Sequence, residues 1–275
     1  MFDVHVHSSP DVVPRRGDDH DIVRSYAEAG FTGCVLKGHY ESTVGRAAAA
    51  NRNSPITVYG GIALNQHAGG PNPAAVAACL DAGGRVVWMP TADAHTQRTA
   101  GLPSLCGARP GLAAHSYAIP PVDRSTAEAA QEICALVAEA DAVLATGHLS
   151  GPEAEWLLTT AQQHGVRRFL LTHPSYTVPA LSASETAELT ARGALAEITT
   201  FQLLHQPGCT PQQLAAFADR VGLDHVVLSS DAGQPDSPQP PEALQLLVDA
   251  LAGEGLDRDA LMRCASDIPA ALVTP

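Results

Sequence analysis

The chain is predicted to fold as a single (β/α)₈ barrel, an α/β architecture of the TIM type. Three observations predict it. Short apolar runs rich in β-branched residues alternate with longer stretches of helical periodicity. Eight such strand–helix pairs can be laid along the 275 residues, a length slightly above that typical of one barrel and open equally to one large domain or two small ones. Hydrophobic residues make up 45% of the chain, enough for one sizeable core, and with aromatics at only 4% that core must be built from Val, Leu, Ile and Ala. An open doubly wound sheet of five or six strands is the rival, and it requires that the runs at 57–64 and 194–199 not be strands.

Taken in order, strands are expected at 2–7, 33–38, 57–64, 85–90, 142–148, 168–173, 194–199 and 225–230. Helices are expected between and after them, at 19–29, 42–53, 73–82, 126–140, 152–164, 183–192, 211–221, 241–251 and 258–265. Start signals support several of these: Asn72-Pro73, Ser125, Gly151-Pro152 with Glu153 and Glu155, and Thr210-Pro211 read as N-caps or first-turn prolines. Gly30, Gly83, Gly165, Gly193 and Gly222 read as stops. One interval breaks the rhythm. From Thr91 to about residue 125 the chain carries Gly, Pro and Ser punctuation with little periodicity. A loop of that length in a compact domain is usually functional or disordered, and after the fourth strand it would lie over the C-terminal face of the barrel. It reads as a lid or specificity loop.

Charge excludes some partners. With 16 basic against 29 acidic residues the net charge is −13, which argues against nucleic acid or an anionic membrane and leaves a small-molecule substrate as the expected partner. The six cysteines are scattered, with no C-x-x-C pair, as suits reduced thiols rather than a disulfide frame. No basic and apolar leader opens the sequence, and no apolar run approaches the roughly 18 to 20 residues of a membrane span. The expected location is cytoplasmic; a homo-oligomer is an open possibility.

The chemistry is expected where strands end. His5 and His7 flank Val6, so strand alternation should point both imidazoles into the barrel mouth and turn Val4 and Val6 to the helix layer. Leu-Ala-Thr-Gly-His148 closes the fifth strand, Phe-Leu-Leu-Thr-His173 the sixth and Val-Leu-Ser-Ser-Asp231 the eighth. Each is an apolar run ending abruptly in a potential ligand, and in a barrel all strand ends meet at one mouth. Lys37 and His39 close the second strand and should share a face with Val35.

This ordered set, H-x-H after strand one, single histidines after strands five and six and Asp after strand eight, resembles the amidohydrolase superfamily of metal-dependent hydrolases. Within it the opening Asp-x-His-Val-His-x-x-Pro-Asp, Asp3 to Asp11, looks like a small, poorly characterised branch. The resemblance implies a divalent transition metal, with Zn²⁺ expected and Mn²⁺, Fe²⁺ or Co²⁺ as alternatives. His5, His7 and Asp231 would hold one ion, with His148 and His173 on a second ion or on the substrate. Asp231 would act as general base on a metal-activated hydroxide attacking a carbonyl-type bond, in an amide, imide, lactone, ester or thioester. The departure lies after strand four: Trp88-Met89-Pro90 offers no bridging carboxylate or lysine. Lys37 is the substitute, as a bridge, as a substrate or oxyanion contact, or as a structural residue, and Glu197 near the end of strand seven is a further candidate. One metal or two stays open.

Softer substrate-contact candidates are Arg15 and Arg16, His67, then His95, Arg98, Arg109, His115 and Tyr117 in the long insertion, and His205. His20 and His164 fall on helices and His225 at the start of strand eight, away from the mouth. No G-x-G-x-x-G fingerprint, phosphate-binding P-loop or G-x-S-x-G elbow is present. The alternatives to hydrolysis are a metal-dependent decarboxylase, in which His173 contacts substrate, a phosphoesterase, and a barrel that binds metal without turnover.

Overall fold

The computed structural model describes residues 1–107, 111–112 and 114–275; the candidate Arg109 lies outside the described residues. The strands are β1 (Phe2–Val6), β2 (Gly33–Leu36), β3 (Thr57–Tyr59 and Gly61–Ala63), β4 (Val86–Trp88), β5 (Val143–Ala145), β6 (Arg168–Leu171), β7 (Leu195–Thr199) and β8 (Val226–Ser229). Every neighbouring pair is parallel. The ladder breaks once, at Gly60, where the loop after β2 presses on the strand. A Cβ on Gly60 would stand 2.7 Å from the carbonyl carbon of Thr43, while the Thr43 amide donates to the Gly61 carbonyl at 3.0 Å. β1 and β8 close the ring: Val6 bridges Ala232, the His7 amide donates to the Ala232 carbonyl at 2.9 Å, and the Asp231 amide to the His5 carbonyl at 2.8 Å. This is the predicted barrel, and the runs at 57–64 and 194–199 both supply strands.

Two apolar layers follow from strand alternation. Phe2, Val4, Val35, Val86, Trp88 and Val227 fill the inside of the barrel. Val6, Leu36, Val58, Leu144, Leu171 and Leu228 pack outward under the helices. The expectation that Val4 shares the helix layer with Val6 is therefore wrong. The register of β1 slips between Asp3 and Val6, so Val4 and His5 both serve the interior and Val6 turns out. The slip is satisfied internally: the buried Asp3 carboxylate accepts the freed His5 amide at 3.0 Å and the Ser230 amide at 3.1 Å, tying β1 to β8.

The floor of the barrel is sealed by the helix Asp267–Val273, whose Leu272 and Val273 join the inner cluster. Two arginines grip its carbonyl end. Arg85 donates to the Val273 carbonyl at 2.9 Å and to the Asp141 carbonyl at 2.8 Å, and Arg168 to the Leu272 carbonyl at 2.8 Å. Because Arg85 is buried, Arg85→Met is expected to lower unfolding stability by about 2 kcal/mol, measured by urea denaturation. An unchanged midpoint would mean that apolar contact alone holds the plug.

The predicted helices are present within a residue or two. Sequence periodicity did not indicate the short helices His95–Thr99, Thr200–His205 and Asp267–Val273. The insertion after β4 is pinned at its base, where the His95 amide donates to the Tyr117 carbonyl at 2.7 Å and the Tyr117 amide to the Asp93 carbonyl at 2.8 Å. Among the described residues no helix is long and apolar enough to cross a membrane.

Candidate metal centre

The β1–β8 seam brings two imidazoles and a carboxylate to one point. Asp231 Oδ1 lies 3.0 Å from His5 Nε2 and 3.2 Å from His7 Nε2. One donor atom from each of His5, His7 and Asp231 falls within 4.8 Å of the others, and all three residues are buried. Asp231 adopts a left-handed backbone (φ 48°), as does His173 at the end of β6 (φ 26°). Such conformations cost on the order of 1–3 kcal/mol each and persist only where the surroundings impose them. Here the seam hydrogen bond from the Asp231 amide does so.

Behind His5 stands Glu197, on β7. Its Oε1 accepts from His5 Nδ1 at 3.0 Å and from Ser229 Oγ at 2.6 Å, and its Oε2 from the His173 amide at 3.1 Å. An ionised carboxylate can only accept, so His5 carries a proton on Nδ1, and Nε2 is the nitrogen it turns to Asp231. Lys37 Nζ is 2.9 Å from the same Nε2 and 5.4 Å from the centre of the Trp88 ring.

Charge in this buried cluster is tightly coupled. Burial would raise the Glu197 carboxyl, yet His5, His173 and Lys37 hold it down at about 2. Asp231 is likewise held far below the usual carboxylate range, because the imidazoles of His5 and His7 overcome its burial. Burial disfavours a charged His5, but Asp231 and Glu197 raise its pKa to about 9. The other rings go the opposite way. Burial pushes His7, His39 and His148 well below the ordinary histidine value and His173 to about 4. Apart from His5, whose second proton a cation would displace, these are neutral imidazoles facing ionised carboxylates, a donor set that suits a divalent cation. Among the described residues two buried ring nitrogens, His7 Nδ1 and His173 Nδ1, have no hydrogen-bond partner.

The remaining predicted residues gather round without joining that triad. His148 Nδ1 meets Gln97 Oε1 at 2.9 Å, and its ring lies 4.9 Å from that of His173. His39 stacks on His7 at 5.0 Å, its Nδ1 held by Thr91 Oγ1 at 2.9 Å. With Lys37 these residues line a cavity of about 650 Å³ at the mouth, together with Arg15, His205 and residues 102–105 of the insertion. Arg16 is turned away to the Ser237 carbonyl, and Arg98 is paired with Asp93. His67, His95 and His115 are exposed, and Tyr117 serves the base of the insertion. His20, His164 and His225 are exposed, away from the cavity, as expected. Sequence reasoning missed Gln97, Tyr176 and Phe201 in the cavity wall. Phe201 and Gln97 belong to the two short helices that no periodicity announced.

Solved structures match this architecture end to end. An amidohydrolase from Pseudomonas aeruginosa superposes with a TM-score of 0.66 at 14% identity, covering 99% of this chain and 95% of its own. A protein whose organophosphate hydrolysis activity was engineered from a weak promiscuous lactonase template gives 0.64 at 11% identity, covering 99% and 95%. The 2,6-dihydroxybenzoate decarboxylase from Rhizobium gives 0.57 at 11% identity, covering 99% and 97%. The chain thus shares its (β/α)₈ barrel fold with these structures. No curated protein matches the sequence. The chain belongs to a family of unknown function (DUF6282), whose profile matches residues 1–197.

Proposed function

We propose that the chain is a metal-dependent hydrolase that cleaves a carbonyl-type bond, in an amide, imide, lactone, ester or thioester, of a small molecule. The observation that carries this reading is the alignment of His5, His7 and Asp231 on one point, with the His5 tautomer set by Glu197. These three residues would hold the cation, Zn²⁺ being the first expectation. When bound, it supplies Lewis acidity, polarising a carbonyl and lowering the pKa of water towards ~7.

The chain's own groups do the rest. Asp231, kept ionised, accepts a proton from the attacking water and returns it to the leaving group. Glu197 holds the His5 ring in its working tautomer. His173, neutral at physiological pH, is free to meet the substrate, and His148 is oriented by Gln97. Lys37 presents an ammonium for the developing oxyanion; as a bridge it would instead serve a second ion shared with His148 and His173. Residues 102–105 act as a lid that keeps bulk water from the mouth.

A second reading, decarboxylation of a small carboxylic acid, is favoured by the place of His173, neutral and on the cavity wall outside the group formed by His5, His7 and Asp231, where it would contact substrate. Carbon dioxide release without water consumption would identify it. The experiment that tests the main reading is elemental analysis of the purified chain and of a His5→Ala/His7→Ala variant. Near-stoichiometric transition metal in the wild type, lost in the variant, is expected. About two ions per chain would favour Lys37 as a bridge, and about one the mononuclear reading. A wild-type chain that takes up no metal after reconstitution would sink the proposal.

A further inference from the structure

We propose that Arg15 anchors a carboxylate of the substrate, so that the chain acts on small organic acids with an apolar body; this rests on the reading of the mouth as a substrate cavity. Arg15 reaches the cavity from the loop after β1. Its side chain is only 5% exposed, and its Nε donates at 2.6 Å to Asp11 Oδ2, whose own side chain is 4% exposed. Among the described residues nothing accepts from Nη1 or Nη2. The two Nη groups open on the cavity, where their donors remain available to whatever enters it. The parallel edge formed by the two Nη groups is the fork that a carboxylate takes in bidentate fashion.

The fork is held in place before any ligand arrives. Asp11 fixes the Nε side, and Arg46 clamps the chain just upstream, donating to the Ser8 carbonyl at 3.0 Å and the Pro10 carbonyl at 2.9 Å while paired with Asp19. The Ser9 amide closes the base of the loop on the Gly17 carbonyl at 2.8 Å. The adjacent Arg16 shows the contrast: it spends its donors on the Ser237 and Pro235 carbonyls and does not line the cavity.

The other charges at the mouth are already engaged. Lys37 lies against His5 Nε2, Asp231 against two imidazoles, and Glu197 accepts from three donors. Arg15 therefore offers the cavity a cation whose terminal donors are still unspent. The wall beyond it is largely apolar, with Val13, Leu102, Leu105, Tyr176 and Phe201. An acid with an aromatic or aliphatic body matches both parts of the cavity.

Matched pairs of arene and alkyl carboxylates and their primary amides, screened by saturation-transfer NMR and titrated by calorimetry, test the assignment. The wild type is expected to prefer acids over their amides. Arg15→Met should weaken the acids by roughly 10- to 100-fold and leave the amides unchanged. Arg15→Lys, which keeps charge but loses the fork, should fall between, and Arg16→Met should match the wild type. Thermal unfolding of each variant shows that it is folded. Absence of acid binding by the wild type, no preference for acids over amides, a preference that survives Arg15→Met, or tighter binding of the matching phosphate monoesters would each overturn it. Metal content measured on the same samples keeps the two readings apart, since Arg15→Met should retain the wild-type value.

Discussion

The Glu197→Gln chain is expected to hold a divalent cation roughly 10- to 100-fold more weakly than the wild type, measured by competition with a chromophoric chelator. The reason is a count of donors. His5 Nδ1, Ser229 Oγ and the His173 amide all converge on the Glu197 carboxylate. A carboxylate has lone pairs for all three; the isosteric amide offers one oxygen and two more donors. Either the glutamine NH₂ faces the His5 ring, which then moves its proton from Nδ1 to Nε2, or another buried donor goes unpaired. With Nδ1 accepting, the ring's remaining proton is fixed on Nε2, the nitrogen that His5 turns towards Asp231 and that a cation would need. Glu197→Asp, too short to reach all three donors, should also weaken binding, but without inverting the tautomer. Wild-type affinity in Glu197→Gln would show that the ring is oriented by something other than β7.

Gly147→Ala is expected to destabilise the chain by about 3 kcal/mol or more, read from urea or thermal unfolding. Gly147 precedes His148 with a left-handed backbone (φ 59°), and a Cβ there would stand 2.3 Å from the Met89 carbonyl oxygen and 2.6 Å from that of Pro90. Both obstacles are backbone at the end of β4 and cannot rotate away. The His148 amide also donates to the Pro90 carbonyl at 2.9 Å, so any relief of the clash displaces the imidazole as well. Gly165 is the comparison: its φ is 83°, with nothing within 4 Å of an added Cβ. Gly165→Ala should cost only the backbone term, about 1 kcal/mol. Equal losses at the two sites would mean that the β4–β5 approach is looser than these distances require.

The barrel was legible because its cues are local. Apolar runs of strand length, helix-stopping glycines and ligands placed at strand ends each sit within a few residues, and together they order the whole ring. What escaped depends on partners distant in sequence. The slip in β1 that turns Val4 inward is held by Asp3 and the Ser230 amide, on the far side of the seam, and strict alternation cannot reveal it. Glu197 drew little weight because its partners His5 and Ser229 lie on β1 and β8; the available signal was an acidic residue inside the apolar run Leu-Ala-Glu-Ile-Thr. Arg15 and Arg16 look alike in sequence, and only the fold separates the one that faces the cavity from the one that caps carbonyls. The short helix Thr200–His205 did carry a cue, a capping box formed by Thr199 and Gln202, but six residues are too few for periodicity to register.

The seam between β1 and β8 has a mechanical consequence. The triad does not sit on one hairpin or one loop: His5 and His7 come from the opening strand of the ring and Asp231 from its closing strand, with most of the chain between them. A cation held there would work as a clasp, converting an open ribbon of strands into a hoop. The entropy removed from the unfolded chain by such a tie grows with the length it encloses, so the clasp acts at the place where cross-linking gains most. Chelation would then loosen the whole hoop rather than one corner of it, and the ring would begin to part where its first and last strands meet.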